Sequence, residues 1–461
     1  MEKSTAVGSA KIAAFFDAGT FVETGAYIKR ADGDLTGVVS GYGAVGGKLV
    51  FAFAQDSDRQ KGAFDALQAE KIVELYRMAM KNGAPVVGFF DSVGAFVYEG
   101  SAVMSAYGKV LKAVSDASGV IPQIAVINGV CSGMAATVAA MFDIIVTVKE
   151  QSKLFVNAPF ITGKEVGSTA FVAQNGLSSV VAENEDDVNA KVAKLISWLP
   201  SNSAEGICIE EINDNINRTL AAEIPCGRAL VAAIADCANF FELGSEYAPE
   251  LLTMLIKLGG VTCGVVANDP TVQNGVITVD AAKKAAKWIA LCDSLSIPVI
   301  TLVNSEGVAT GKEAENAPLA AQLGKLAMAY ATADTETVTA VVGKAYGAAF
   351  TLMGSKALGA DMVYALPNAE ISVMAPDSAV AFLWNDRITE KTTRADLVAE
   401  WKETQANAEE AAANGSIDDV IDPTELRQRL CSAVYMLLMK SDGIPARKHC
   451  NLPLYNGGVC L

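Results

Sequence analysis

Residues 121–136 read Ile-Pro-Gln-Ile-Ala-Val-Ile-Asn-Gly-Val-Cys-Ser-Gly-Met-Ala-Ala. The apolar run 123–127 predicts a strand that is buried on both faces, and Asn128 with Gly129 is expected to end it. The Ala-rich run 134–141 predicts a helix. A strand that enters a helix through small residues presents backbone N–H groups without intrahelical partners, and such groups stabilise an oxyanion. The stretch therefore predicts either an oxyanion-binding turn or an ordinary packing turn of an α/β fold.

The same pattern occurs a second time in the chain. Residues 297–307 repeat residues 84–94, with an offset of 304 − 91 = 213 positions. Residues 338–349 repeat residues 122–135, with an offset of 343 − 129 = 214 positions. Two motifs that recur in the same order at nearly the same offset indicate a duplicated α/β domain. Two backbone turns of this kind suggest two reacting groups, each with its own charge to stabilise.

The length and a polar stretch predict where the duplicated domains meet. A chain of 461 residues accommodates two ordinary domains. Residues 200–226 are rich in Asn, Ser and Glu and predict the linker between them. We therefore expect an N-terminal domain over residues 1–205 and a C-terminal domain over residues 226–461.

Composition narrows the class of protein. Hydrophobic residues make up 51% of the chain and the net charge is −16, so a general nucleic-acid partner is not expected. The nine cysteines are odd in number and contain no Cys-x-x-Cys pair, which predicts reduced thiols and a cytoplasmic location. The most membrane-like stretch, residues 129–148, contains Ser132 and Asp143, and we interpret it as a core helix followed by a strand.

Several kinds of catalytic chemistry lack the residues they need. The chain has one histidine, His449, so a Ser-His-Asp triad or a histidine zinc site is not expected, and no metal is predicted. The Gly-x-Gly-x-x-Gly match within residues 41–47 lies in a predicted hairpin and opens no helix, which argues against dinucleotide binding. The chemistry that remains is one that backbone dipoles stabilise, such as that of an enolate formed from a thioester.

Hydrophobic periodicity predicts the main elements of both domains. Loops are expected at 311–317 and, as the second turn, at 343–349. Helices are predicted at 12–30, 68–81, 101–117, 188–199, 281–295, 319–332, 389–415 and 426–439. Strands are predicted at 38–42, 48–54, 85–90, 123–127, 144–148, 261–267, 298–303, 338–342, 362–364 and 370–374.

Ordered short motifs across the chain resemble one enzyme family. The sequence is similar to the carboxyltransferase (beta-type) subunits of biotin-dependent acyl-CoA carboxylases and decarboxylases, such as the propionyl-CoA and methylmalonyl-CoA enzymes. The resemblance extends from about Gly33 to Leu454. The segments that carry it are 45–51, 83–88, 91–95, 118–124, 239–242, 292–298, 344–347, 355–356 and 447–454.

The resemblance implies a fold, an assembly and a reaction. The fold is a pair of tandem crotonase-like (ClpP/crotonase) α/β domains, and the assembly is a homo-oligomer, usually a hexamer. One domain binds the acyl-CoA, and the other binds biotin on a separate biotin carboxyl carrier protein. The enzyme moves CO2 between biotin and the α-carbon of the acyl-CoA through an enolate held in backbone oxyanion holes. Further implied partners are a biotin carboxylase or a membrane decarboxylase subunit.

The resemblance also implies roles for residues at the two turns. On the acyl-CoA side, Gly133 and Met134 are expected to be catalytic, with their N–H groups facing the thioester oxygen. Ala348 and Ala349 are the expected catalytic residues on the biotin side. The remaining positions are assigned to biotin, namely Tyr346, Gly347 and Gly307, and to the substrate, namely Gly94, Ala95, Ser132 and Thr351.

The chain departs from the family pattern near both turns. Met134 replaces a family Gly and is expected to narrow the acyl pocket. Phe96 replaces an Arg, and Ala321-Gln322 replaces an Arg-His pair. The family's Asp-Val-Pro-Gly-Phe motif becomes the segment 304–308, Asn-Ser-Glu-Gly-Val. Two hypotheses therefore stand: an active carboxyltransferase or decarboxylase subunit, and a catalytically degenerate paralogue that serves as a structural subunit of such a complex.

Overall fold

The computed structural model describes residues 7–29 and 36–440, with the side chains from Lys11 onward. Helices of the first unit are α1 (Val7–Phe15), α2 (Ala66–Asn82), α3 (Ser101–Ala117), α4 (Met134–Ala140), α5 (Pro159–Thr162), α6 (Thr169–Gln174) and α7 (Glu185–Trp198). Those of the second unit are α8 (Gly227–Ile234), α9 (Val279–Ser294), α10 (Lys312–Asn316), α11 (Leu319–Ala331), α12 (Ala348–Leu352), α13 (Pro376–Leu383), α14 (Arg394–Gln405), α15 (Ala408–Ala413) and α16 (Leu426–Leu437).

Each unit contains its own eight-stranded sheet. Strands of the first are β1 (Val22–Thr24), β2 (Val38–Val45), β3 (Lys48–Gln55), β4 (Val86–Ser92), β5 (Gln123–Ser132), β6 (Ile144–Val148), β7 (Lys153–Phe155) and β8 (Val180–Ala182). Those of the second are β9 (Phe240–Leu243), β10 (Leu251–Leu258), β11 (Val261–Asn268), β12 (Val299–Ser305), β13 (Thr337–Tyr346), β14 (Met362–Ala365), β15 (Glu370–Ser372) and β16 (Asp419–Val420).

The two sheets follow one plan. The first has the order β1-β2-β3-β4-β5-β6-β8 with β7 beside β5, and the second has the order β16-β14-β13-β12-β11-β10-β9 with β15 beside β13. An antiparallel hairpin, β2–β3 or β10–β11, leads in each case into parallel strands joined through helices. Parallel strands of this kind need crossover connections, which the helices supply. The duplication inferred from the sequence is thus present in the strand order.

The chain divides into two compact units between Gly206 and Ile207. Residues 207–225, which the sequence analysis treats as linker, lie against the second unit. Ile209 pairs with Val261 as an isolated bridge. The fully buried Arg427 donates to the carbonyls of Asn215 and Ile216 at 2.8 and 2.7 Å. A polar sequence therefore packs closely here because a buried guanidinium satisfies its carbonyl groups.

Helix caps and apolar faces explain why the helices form where they do. The Asp65 side chain accepts the N–H of Gln68 at 2.8 Å and begins α2, which ends at Gly83 with φ +59°. Thr278, 213 residues later, begins α9 in the same way. Both helices bury an apolar face against their own sheet, as the helical spacing predicts.

Most predicted elements are present, and the differences have local causes. The hairpin turn at Gly46-Gly47 and the helix 101–117 are confirmed. Strand β5 does not end at Asn128 but continues to Ser132, because a register shift against β4 absorbs the polar residues. Strand β13 likewise continues through the predicted turn to Tyr346. The helix predicted at 12–30 ends at Phe15. The predicted loop 311–317 contains the short helix α10, and the helix predicted at 389–415 is divided into α14 and α15.

Candidate active site

The first turn begins where β5 passes the end of β4. A side chain at Gly129 would place its Cβ 2.2 Å from Oδ1 of Asp91, so any larger residue would displace this carboxylate. The same oxygen accepts the N–H of Val130 at 3.2 Å. Asp91 therefore fixes the path of β5 just before the helix α4.

The turn itself is made by Gly133, which has φ +61° and ψ −127°. Its N–H donates to the carbonyl of Phe155 at 3.0 Å, so this N–H serves the sheet. The Gly133 N–H was expected to face a thioester oxygen, but in the structure it is already bonded to Phe155. The next N–H, that of Met134, is the first of α4 and has no acceptor within residues 7–29 and 36–440. A Cβ placed on Gly133 would meet no atom within 4 Å, so the space beside the turn is open.

A second loop reaches the first turn from the end of β4. The carbonyl of Gly94 accepts the N–H of Phe64 at 2.8 Å, and Phe96 donates back to Phe64 at 2.7 Å. This parallel bridge turns the N–H of Ala95 away from Phe64. A Cβ on Gly94 would lie 3.5 Å from Oγ of Ser132, so the structure brings Gly94 and Ala95 beside the residue that precedes Gly133.

Met134 has a partly buried side chain that packs against the core of the first unit. The side chain is therefore part of the helix–sheet packing as well as a neighbour of the open space. Whether it narrows an acyl pocket stays a prediction.

The second turn repeats these contacts. A Cβ on Gly343 would lie 2.5 Å from Oδ1 of Asn304, which accepts the N–H of Lys344 at 3.0 Å. Gly347 has φ +55° and ψ −129°, and its N–H donates to Ser372 at 2.8 Å. The N–H of Ala348, the first of α12, has no acceptor in the described part of the chain.

The other residues assigned to the biotin side surround this turn. A Cβ on Gly307 would lie 3.7 Å from the carbonyl of Tyr346, which is ordinary contact. Ala348 is exposed and Ala349 is buried. Thr351 is exposed on the same short helix, and its carbonyl accepts the Ser355 hydroxyl at 2.8 Å.

Charged side chains around the second turn are paired with each other. The Tyr346 hydroxyl donates to Glu370, and Lys402 donates to the same carboxylate at 2.7 Å. Burial, then the hydrogen bond and charge of Glu370, raise the pKa of Tyr346. Burial alone would raise the pKa of Glu370, but hydrogen bonds from Lys402 and Tyr346 outweigh it and leave that pKa lowered. Tyr346 is thus a neutral hydrogen-bond donor at ordinary pH.

Glu306 forms a second pair at the same turn. Its carboxylate accepts hydrogen bonds from Nζ of Lys344 at 2.7 Å and from Nδ2 of Asn274 at 2.9 Å. From the sequence, Glu306 is only a departure from the family motif, and its partners were not predicted. The repeat offset could have placed Glu306 beside the second turn. It could not have predicted the ion pair with Lys344, because an ion pair depends on side-chain geometry.

Two findings bear on metals and membranes. Within residues 7–29 and 36–440, no three side chains of His, Cys, Asp or Glu converge as a metal site. His449 lies outside the described residues. Among the described helices, none has the length and apolar character needed to cross a bilayer.

The fold and its two turns define a two-domain, crotonase-like carboxyltransferase architecture, and comparisons with known proteins agree. The carboxyl transferase domain model matches residues 2–452. The chain therefore belongs to the carboxyl transferase family. It is 34% identical to the methylmalonyl-CoA decarboxylase subunit alpha of Veillonella parvula, covering 96% of this chain and 92% of the relative. It is 35% identical to the propionyl-CoA carboxylase beta chain of Roseobacter denitrificans, covering 91% and 86%.

Solved structures support the same assignment. Transcarboxylase 12S, solved as a hexamer with hydrolysed methylmalonyl-coenzyme A bound, has a TM-score of 0.91 and 31% identity, over 96% of this chain and 91% of that chain. A single-chain long-chain acyl-CoA carboxylase has a TM-score of 0.80 at 23% identity, over 92% of this chain and 46% of that chain, and supports the fold alone. The resemblance described in the sequence analysis is confirmed.

Proposed function

We propose that this chain is a carboxyltransferase subunit that moves CO2 between biotin on a carrier protein and the α-carbon of an acyl-CoA. The single observation that carries the proposal is the pair of matching turns, each with an unused N–H at the start of a helix, in a chain of the carboxyl transferase family. The two turns provide one donor site for each of the two reacting groups. The relatives named above act on methylmalonyl-CoA and propionyl-CoA, so we expect a short acyl-CoA.

The first turn holds the acyl-CoA. The N–H of Met134 donates to the thioester oxygen, and this hydrogen bond strengthens as the oxygen gains charge when the α-carbon loses its proton. Gly94, Ala95 and Ser132 line the approach. Since Gly133 gives its N–H to Phe155, its role is to set the direction of the Met134 N–H.

The second turn holds the biotin ring. When it is bound, carrier-attached biotin supplies or accepts the carboxyl group. The chain contributes the N–H groups of Ala348 and Ala349, with Tyr346, Gly347 and Gly307 as the wall of the site. These residues suit a neutral ring with a polarised carbonyl, because the nearby charges of Lys344, Glu306, Glu370 and Lys402 are already paired. Thr351 is the position that we assign to substrate selection.

One observation favours the alternative, a structural paralogue without activity. Gln322 occupies the place of the family's Arg-His pair and is 8% exposed, and its Oε1 is buried without a partner among the described residues. A buried amide oxygen cannot replace the charge of an Arg. The alternative subunit would keep the fold and the assembly but bind no acyl-CoA.

A panel of acyl-CoA esters with free biotin distinguishes the two functions. We expect the purified protein to transfer the carboxyl group of methylmalonyl-CoA to free biotin and to release propionyl-CoA, which chromatography of the CoA esters detects. Calorimetry with the same esters measures binding independently of turnover. Absence of both turnover and binding across the panel would support the structural subunit and reject the proposal.

A further inference from the structure

The second unit contains a cavity of about 530 Å³ that borders the second turn at Asn304. Ala267, near the carboxyl end of β11, and Leu302 and Val342, in the middle of β12 and β13, form part of its wall. Its lining includes none of the residues assigned above to biotin. Ligand sites in proteins commonly have volumes of roughly 300–1,000 Å³, with apolar walls and a few placed polar groups.

The first unit fills the equivalent place with aromatic rings. Phe89 stands 213 residues before Leu302, and its ring meets that of Phe15 edge-on at 5.3 Å. Both rings are buried. Because the duplicated domains share their strands, the smaller side chain at 302 leaves space that the first unit does not have.

The chemistry of the wall selects an uncharged ligand. The lining contains no Lys, Arg or His, and its one charged residue, Glu223, is exposed at the rim. Phosphates and carboxylates therefore find no cation here, which excludes the nucleotide part of an acyl-CoA. The remaining wall is mainly aliphatic, with proline and leucine prominent.

Two asparagines of the wall leave amide atoms available to a ligand, the exposed Asn368 and the half-buried Asn304. Oδ1 of Asn304 accepts the N–H of Lys344 at 3.0 Å, which fixes the orientation of the amide. Its Nδ2 has no acceptor among residues 7–29 and 36–440 and is left as a donor in the cavity wall. By contrast, both amide atoms of Asn268 are engaged. Nδ2 donates to the carbonyl of Gly275 at 3.0 Å, and Oδ1 accepts the N–H of Asn304 at 3.3 Å.

We propose that this cavity binds an uncharged, largely apolar small molecule with one hydrogen-bond acceptor. Nδ2 of Asn304 donates a hydrogen bond to that acceptor. The cavity wall is connected to the second turn through a short path. Asn304 holds the backbone of Lys344, and Lys344 lies three residues before Gly347. The site does not depend on the function proposed above, since none of its residues is assigned to the reaction.

Cys226 makes the proposal testable, because it is exposed and lines the cavity. Cys208 and Cys237 are also exposed, belong to the same unit and do not line it, so they serve as internal controls. The protein is treated with a neutral benzamide ethyl disulfide in excess 2-mercaptoethanol, and peptide mass spectrometry measures the fraction of each thiol that is labelled. Cystamine, which is cationic, is the second probe.

We expect the benzamide to label Cys226 about tenfold more than the two control thiols, because binding in the cavity raises its local concentration. Cystamine should show no such preference. Ala222→Trp, at an exposed rim position, should remove the benzamide preference by closing the entrance, and Asn304→Asp should reduce it by removing the donor.

Two outcomes would overturn the proposal: equal benzamide labelling of Cys226, Cys208 and Cys237, or a preference that survives Ala222→Trp. Leu302→Phe, which copies the first unit, tests the empty volume by a different measurement. It should leave the melting temperature unchanged or raised, because the ring enters space that is already present. A lower melting temperature of Leu302→Phe, as overpacking causes, would show that the space is absent.

Discussion

Replacing Met134 with proline removes one N–H donor together with the packing of the Met134 side chain. Proline is favoured at the first position of a helix, where its missing N–H has no intrahelical role. The Met134 N–H has no acceptor in the described structure, so the fold loses no hydrogen bond. The side chain is partly buried, and Met134→Ala, which keeps the N–H, is the matched control for its loss.

Loss of a single oxyanion donor typically costs on the order of 10²–10³ in kcat, about 3–4 kcal/mol. We therefore expect kcat/KM of Met134→Pro for methylmalonyl-CoA to be about a hundredfold or more below that of Met134→Ala. Chromatography of the CoA esters measures the rate, and thermal melting with size-exclusion chromatography checks the fold and assembly of both variants. A folded Met134→Pro protein with the rate of Met134→Ala would refute the assignment of this donor.

Gly133→Pro would be a less informative variant than Met134→Pro. Proline cannot adopt the φ of +61° found at Gly133, and it would delete the hydrogen bond to Phe155. Loss of activity would then report a damaged sheet and not a missing donor.

Three further predictions concern stability and assembly. Gly129→Ala should lower the free energy of unfolding by about 1–3 kcal/mol, because the displaced Asp91 carboxylate loses its hydrogen bond from the N–H of Val130. In an Asp91→Ala background that bond is already absent, so urea unfolding should show no additional loss of stability from Gly129→Ala. Burial lowers the pKa of Lys284 to about 8 from 10.5, so the unfolded chain binds this proton more tightly, and stability should rise between pH 8 and 10.5; melting curves of Lys284→Met should rise less steeply across that window. Light scattering should give a mass six times that of one chain, as in the hexameric transcarboxylase, and a monomer at micromolar concentration would contradict this.

The sequence predicted the fold largely because the chain is duplicated. A buried strand such as 144–148 is apolar except at Thr147, and its bounds were predicted without error. The extension of β5 past Asn128 was not predicted, because it depends on Asp91, which is 37 residues away in sequence. Polar residues at such a bulge look like a strand end when only neighbours in sequence are considered.

The candidate site was predictable in position but not in detail. Small residues indicated both turns, and the offset paired them. Which N–H remains available depends on Phe155 and Ser372, on strands that run beside the turns. Neither residue carries a signal in the sequence, because a backbone carbonyl acceptor can belong to any residue type. Of the two donors expected at the first turn, Gly133 and Met134, only Met134 has an N–H without an acceptor among the described residues.

The two turns share their backbone and differ in their electrostatic surroundings, which bears on what each can bind. Asp91 and Asn304 support their strands through the same type of hydrogen bond, but only Asp91 carries a charge. Burial, together with the Asp91 carboxylate, raises the pKa of the adjacent Cys131 thiol. That thiol therefore stays protonated and is a poor nucleophile beside the first turn. A protonated thiol is consistent with the proposed function, in which the Met134 N–H, and not a covalent intermediate on Cys131, stabilises charge on the substrate.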